Sequence, residues 1–537
     1  MEILLVVPRF NLTNKKDYGY MFPLGLGYIY SVIRKKGFNI NCINLNHYNG
    51  SIEENLTNEL NKKKYDIILT GNIGVGYWSV EKITNTAKKH PTNPKIILGG
   101  TLITSEPTLM LKTLKPEFIV IGEGEITITE LLDVIIENKD LNSVDGIGFF
   151  QDNNPVFTKQ RKLIENIDNI PWPDFTALGY EEFLENQSGL VNLCDSGKGD
   201  TPRNYPLMCS RGCPFQCTFC YHSIGVKYRE RTLDNIFEEI NTAVDKYKIN
   251  SLTLYDDLFS LTRERLFEFC KKIKEVSKNL PKQITWSCNL LVNNVDKEML
   301  LTLKDAGCNL VSFGFESYSS DVLKSMKKPI TPEKIKNAIK LTKEVKIGIQ
   351  ANFIFGDIAE TRKTAKETLD FWKNYCDGQV QLGFIQPYPG SDIYKRCIQK
   401  GKIKDKLDFI KNNLAHTNWI NMTDNMTDQD ILDLKNEILK TRWKHTKYII
   451  PNKKTKNNDN TYNLEVSCPF CNEMSIFKNI PIKSNLHYNF YASCKSCNMR
   501  FNISSKFYRF EMKHYQLLDP FRKTFLYIHD NLKKKNA

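Results

Sequence analysis

Three cysteines in the stretch Ser210-Arg-Gly-Cys213-Pro-Phe-Gln-Cys217-Thr-Phe-Cys220 have a C-x3-C-x2-C spacing that offers three thiolates and stops there. A cubane iron-sulfur cluster has four irons, so three protein thiolates leave one iron open for another molecule. Taken alone, clustered cysteines would equally suit a zinc or redox site, and a fourth thiolate would favour zinc. Cys209 is near, but it closes the apolar run that starts at Tyr205 and reads as a small core residue. A second group is Cys468-Pro-Phe-Cys471, separated by 22 residues from Cys494-Lys-Ser-Cys497. Two C-x2-C knuckles beside strand-like aromatic segments such as Tyr488-Asn-Phe-Tyr491 form the pattern of a closed tetrahedral zinc site. An auxiliary iron-sulfur cluster is the rival for those four cysteines.

The first motif follows a strand-like run, carries Phe219 just before its last thiolate and leads to a helix from about Leu233. It resembles the cluster loop of radical S-adenosylmethionine enzymes. That resemblance implies a 4Fe-4S cluster on Cys213, Cys217 and Cys220, with S-adenosyl-L-methionine chelating the open iron. An electron from a donor such as flavodoxin or ferredoxin would then split the sulfonium to a 5'-deoxyadenosyl radical.

The cluster loop opens a series of six strand-helix units between Asn204 and about Lys400. Six units are too few to close an eight-stranded barrel, so an open partial (β/α)6 barrel is expected, with site residues at the carboxyl ends of its strands. The polar residues there are Asp256, Ser287 and Asn289, with Glu316 in a Gly314-Phe-Glu-Ser sequence that resembles the family's Gly-x-Glu-Ser. Gln350 and Asn352 interrupt the fifth strand, and Pro389 lies in a Pro-Tyr-Pro-Gly turn that resembles the family's adenine-facing turn. With Phe219 these are the expected S-adenosylmethionine contacts. Asp256 could instead serve the strand-helix junction, and a buried Glu316 needs a basic partner or the cofactor itself. Arg229 and Arg231 could balance cluster charge or form a solvated face.

Residues 1–140 alternate strands and helices in the manner of a doubly wound, flavodoxin- or Rossmann-like sheet, whose ligands sit at the carboxyl strand ends. The glycines cluster at those ends, with Gly71, Gly74 and Gly76, then Gly99-Gly100, then Gly122-Glu123-Gly124-Glu125, and they follow a Pro23-Leu-Gly25-Leu-Gly27-Tyr28 run. Their order resembles that of cobalamin-binding domains which precede radical S-adenosylmethionine cores. The resemblance implies cobalamin contacts at Gly25, Gly74, Gly99, Gly100, Gly122, Glu123 and Gly124. His47-Tyr-Asn-Gly50 lacks the aspartate of the Asp-x-His-x-x-Gly motif that places histidine under cobalt, and His47 is read as a surface loop residue.

The whole is an α/β chain of several domains: 1–140 for cobalamin, 141–200 as connector, 201–400 as the radical core, 401–450 as a helical extension, 451–461 as a polar linker and 462–537 as a zinc-ribbon-like module with a C-terminal helix. Its 537 residues allow three or so domains, and 41% hydrophobic with 25% charged residues is ordinary globular composition. No apolar run approaches a membrane span and the first residues read as a strand and not a signal peptide, so a cytoplasmic location is expected. The net charge of +14 accompanies abundant Lys, Asn and Ile, which points to coding bias; no nucleic-acid partner is expected. The reading is an enzyme that moves a methyl group from methylcobalamin to an unactivated carbon of a small-molecule or biosynthetic-intermediate substrate. Its rivals are a rearrangement, cyclisation or oxidation with the same cofactors, and a zinc-ribbon nucleic-acid binder with a degenerate core.

Overall fold

The computed structural model describes residues 1–187, 202–414 and 419–514. The loop expected over 187–201 therefore lies outside the described residues except for Gln187, as do 415–418 of the helical extension and 515–537 of the last module.

Five parallel strands, β1 (Glu2–Val7), β2 (Asn39–Asn44), β3 (Ile67–Gly71), β4 (Lys95–Gly99) and β5 (Phe118–Val120), form the first sheet. Ile3 to Val7 are fully buried because helices cover both faces: Ile3, Leu5 and Val7 join one core, Leu4 and Val6 the other. A hairpin of β6 (Ile147–Gln151) and β7 (Asn154–Phe157) adds to the sheet antiparallel, giving the order β2-β1-β3-β4-β5-β6-β7. The first sheet thus extends to Phe157, past the connector boundary expected at 140. The rest of the connector pins the two halves together as expected of its aromatics. Trp172 Nε1 donates to Asn235 Oδ1 at 3.3 Å, and Phe22, Phe175 and Tyr180 pack with Tyr205 and Tyr247 of the second half.

The second half begins with β8 (Asn204–Leu207), then a two-residue ladder of β9 (Ser210–Arg211) and β10 (Arg229–Glu230) that flanks the cluster loop. It continues with β11 (Ser251–Leu254), β12 (Thr285–Asn289), β13 (Cys308–Glu316), β14 (Gly348–Phe355) and β15 (Val380–Phe384). The six long strands are all parallel in the order β8-β11-β12-β13-β14-β15, each beside its predecessor, which is the expected open partial barrel. Along β14, Ile349, Ala351, Phe353 and Phe355 are buried under helices, while Gln350 and Asn352 are exposed on the inner face.

The helix Asp428–His445 leads into the last module, which holds β16 (Tyr448–Ile449), β17 (Lys453–Lys456), β18 (Tyr462–Ser467), β19 (Met474–Ile480), β20 (Asn489–Ser493) and β21 (Arg500–Ser504). They form two three-stranded sheets, β17-β18-β19 and β16-β21-β20. The polar linker expected over 451–461 contains a strand: β17, four of its eleven residues, pairs antiparallel with β18. Its residues are all exposed, so an edge strand of Lys and Thr has a linker's composition. The helix Lys506–Lys513 follows. Among the described residues no helix is long and apolar enough to cross a membrane.

Candidate cofactor site

The base of the cysteine loop is held by the strand ends beneath it. Asp256, after β11, is 2% exposed; its Oδ1 accepts from Cys209 N at 2.9 Å and Ser210 Oγ at 2.6 Å. Asn289, at the end of β12, donates to the Asp256 carbonyl at 2.6 Å. Asp256 therefore props the loop, yet its Oδ2 is buried with no partner. Burial raises its carboxyl to about 7, with Ser210 and the Cys209 amide pulling the other way. The loop's middle is stapled from both sides, Thr218 N donating to Met326 O at 3.1 Å and Ile393 N to Thr218 O at 3.0 Å. Gly390, at φ +92°, closes the Pro-Tyr-Pro-Gly turn against the ring of Tyr221; an added Cβ would lie 2.3 Å from that ring. Pro389 is buried in this turn, and Phe219 is half-buried against the same core.

Glu316, buried at the end of β13 with φ +60°, pairs with Lys328 Nζ at 3.1 Å. Gly314 makes room for that ammonium, since a Cβ there would lie 2.4 Å from Lys328 Nζ. Burial pushes the Cys217 thiol up, and the Lys328 charge opposes that shift. One cation thus serves both the Gly-x-Glu-Ser carboxylate and the thiols.

The remaining expected contacts share the inner face of the barrel. Asn289, Ser312 and Gln350 are in register across β12, β13 and β14, and Gly314, Asn352 and Gln381 across β13, β14 and β15; Ser287 faces the same way one row below Asn289. Lys328, Ser312 and Gln381 were not anticipated. The alternation of polar with apolar residues along β13 and β15 carried a signal for the last two, whereas Lys328 lies twelve residues beyond Glu316 with no local pattern.

At the first sheet the glycines divide. Cβ atoms at Gly122, after β5, and at Gly25, in the first turn of the helix Leu24–Lys35, would enter open space, and one at Gly99, at the end of β4, would meet nothing closer than 3.9 Å, so these positions form an open cradle. Gly74 and Gly124 are packed more closely: Cβ atoms there would meet Leu414 at 2.9 Å and Ile29 at 3.1 Å. Gly100, at φ +91° beside the Asn72 backbone, is required by its turn.

Glu123 ties the two halves together. Its carboxylate accepts from Arg211 Nη1 at 2.8 Å, Arg229 Nη1 at 2.8 Å and Ile164 N at 2.9 Å, while Glu125 takes Arg211 Nη2. Arg229 and Arg231 are buried against Glu123 and Glu239, so they are not a solvated face. His47 is buried, not on a surface loop; its Nε2 is 2.8 Å from Tyr20 Oη and its Nδ1 3.2 Å from Glu182 Oε2.

In the last module Cys468, Cys471, Cys494 and Cys497 converge with all four sulfurs within 4.8 Å. Pairs lie at 3.7 Å (Cys468 and Cys497) and 3.6 Å (Cys471 and Cys494). Metal–thiolate bonds of about 2.3 Å in a tetrahedron put sulfurs roughly 3.8 Å apart, so this set suits one ion. A cubane, with each thiolate on a different iron, needs a wider spread.

Residues 207–372 match the Radical SAM superfamily model and residues 12–132 the B12 binding domain model. The chain thus carries a B12-binding domain ahead of a radical SAM domain, the arrangement of cobalamin-dependent radical S-adenosylmethionine enzymes. It is 28% identical over 406 residues to an uncharacterized methyltransferase of Pyrococcus horikoshii, covering 74% of this chain and 83% of that one. It is 25% identical over 430 residues to the anaerobic magnesium-protoporphyrin IX monomethyl ester cyclase of Cereibacter sphaeroides, covering 76% of this chain and 66% of the other. The solved radical S-adenosylmethionine methyltransferase TsrM from Kitasatospora setae, with cobalamin and a [4Fe-4S] cluster bound, shares the fold at TM-score 0.59 and 16% identity, over 74% of this chain and 75% of that one.

Proposed function

We propose that this enzyme transfers a methyl group to an unactivated carbon of a small molecule held between the barrel's inner face and the glycine cradle. The carrying observation is the tie of Glu123 and Glu125 to Arg211, two residues before Cys213, which fixes the cysteine loop to the strand-end side of the first sheet. When bound, the 4Fe-4S cluster, S-adenosylmethionine and cobalamin would supply a 5'-deoxyadenosyl radical and a transferable methyl group. Cys213, Cys217 and Cys220 would hold the cluster, and the unpartnered Asp256 Oδ2, with Glu316, would accept from the methionyl ammonium. Ser287, Asn289, Gln350 and Asn352 offer amides and hydroxyls to orient the rest of the cofactor and the substrate. Gly25, Gly99 and Gly122 let backbone approach the corrin. Zinc in the four-cysteine site, a flavodoxin or ferredoxin as electron donor and a reducing cytoplasmic setting complete the reading.

The methyltransferase names of the Pyrococcus and Kitasatospora proteins support methyl transfer. The cyclase relative supports a second reading, cyclisation without methyl transfer. Anaerobically reconstituted protein, incubated with S-adenosylmethionine, reductant and candidate substrate, separates them. Methyl transfer yields both 5'-deoxyadenosine and S-adenosylhomocysteine; cyclisation yields 5'-deoxyadenosine alone. Protein that binds no cobalamin would overturn both.

A further inference from the structure

We propose that the four-cysteine ribbon is a wall of the barrel's reaction chamber and that Tyr491 on it is a positioning residue for that chamber. The chamber's chemistry rests on the reading above; the ribbon's attachment to the barrel does not.

Gln381 occupies the inner-face row with Asn352 and Gly314, and its Nε2 donates to Tyr491 Oη at 3.0 Å. An aromatic side chain from β20 therefore reaches the row that also leads to Glu316 and Lys328. Its ring is held from behind by Arg500, whose guanidinium lies 5.2 Å from the ring centroid and also donates to the Gln379 carbonyl. Gln379, just before β15, is fully buried. Its carboxamide pairs with the Arg500 backbone in both directions, accepting from Arg500 N at 2.7 Å and donating to Arg500 O at 2.9 Å. A buried carboxamide is tolerated only when both ends are paired, and here the main partner is ribbon backbone. A third contact lies at the start of β14. Asn498 donates to Lys346 O at 3.0 Å, and its own carbonyl is 3.2 Å from where a Cβ on Gly348 would stand.

The contact residues sit beside the metal ligands. Tyr491 is three residues before Cys494, and Asn498 and Arg500 are one and three residues after Cys497. Cys494 N donates to Met499 O at 2.9 Å, closing the knuckle that aims both segments at the barrel. An ion on the four thiolates thus fixes the angle at which Tyr491 meets Gln381. With β14 and β15 sealed on that side, solvent and substrate would use the remaining openings.

The test uses the full-length chain. Peptide-resolved hydrogen exchange on wild type and Cys494→Ser, with bound metal counted, should show segments 346–355 and 379–384 exchanging about tenfold faster in the variant while β1 to β5 stay unchanged. Unchanged protection at 379–384 after metal loss would overturn the ribbon's role. In reconstituted protein without substrate, 5'-deoxyadenosine is then made in D2O with dithiothreitol, whose S–D bond can give deuterium to the C5' radical and leave a thiyl radical. Tyr491→Ala should raise the deuterated fraction about twofold, with Tyr491→Phe near wild type because the ring still blocks the opening. Equal fractions in all three proteins would overturn Tyr491's role alone. Absence of 5'-deoxyadenosine from wild type would overturn the chamber together with the proposed function, while the exchange result would still judge the attachment.

Discussion

Replacing Glu123 by Gln should loosen the joint between the two halves, and the effect should depend on Arg229. Glu123 is 5% exposed and accepts four hydrogen bonds, three of them from two guanidinium groups that are themselves buried. Removing one partner of a buried pair leaves an uncompensated charge and costs about 3–5 kcal/mol. Gln keeps the shape, Arg211 keeps Glu125, and Arg229 still donates to the Ile164 carbonyl, which places Glu123→Gln near the lower end. Arg229→Met should cost a similar amount. The double variant removes one charge of each sign, so it should cost about 2 kcal/mol less than the sum of the singles. Urea unfolding of the full-length protein, followed by circular dichroism and tryptophan fluorescence, gives the coupling from the transition that separates the halves. Additive losses would refute the pair as a unit. Burial pushes the Glu123 carboxyl up, but the two arginines outweigh it and leave it below the usual range. Its contribution is therefore present above the ordinary glutamate range and lost as pH falls through the lowered value.

Asp256 has the opposite sign. Its carboxyl is raised to about 7 by burial, so its contribution is full below the ordinary aspartate value and is lost as pH rises through 7. Asp256→Asn should flatten the change in urea midpoint between about pH 5 and pH 8, leaving a residual slope from Glu360, also raised to about 7 by burial; an unchanged slope refutes the assignment. Lys328→Met strands Glu316 and removes the cation near Cys217, so iron bound per chain after reconstitution should fall, and wild-type iron content would contradict it. Cys494→Ser should lower zinc, measured by elemental analysis of purified protein, from about one per chain to none.

The barrel was legible because its strands are apolar runs with polar residues facing inward at every second position. The expected residues Ser287, Asn289, Gln350 and Asn352 fall on that one face. The β6–β7 hairpin was equally legible and missed: Asp152 and Asn153, at φ +49° and +63°, occupy the two tip positions that favour Asp and Asn. Other features depend on distant chain. His47 is enclosed by Tyr18 and Tyr20 and by Glu182, 135 residues away, and Glu123 meets Arg211 and Arg229 across 88 and 106 residues. No local pattern reports a carboxylate's partner at that separation. Carboxylates in a glycine-rich strand end read as ligand contacts until the opposing arginines are seen.

The strand β17 has a bearing on self-association. It lies at the edge of its sheet, pairs on one side only with β18, and three of its four residues are lysines. An edge strand invites a second copy to add to it, but two such strands laid antiparallel would bring like charges together across the new ladder. The ribbon can therefore present an open edge without polymerising, and neutralising those lysines would remove that safeguard.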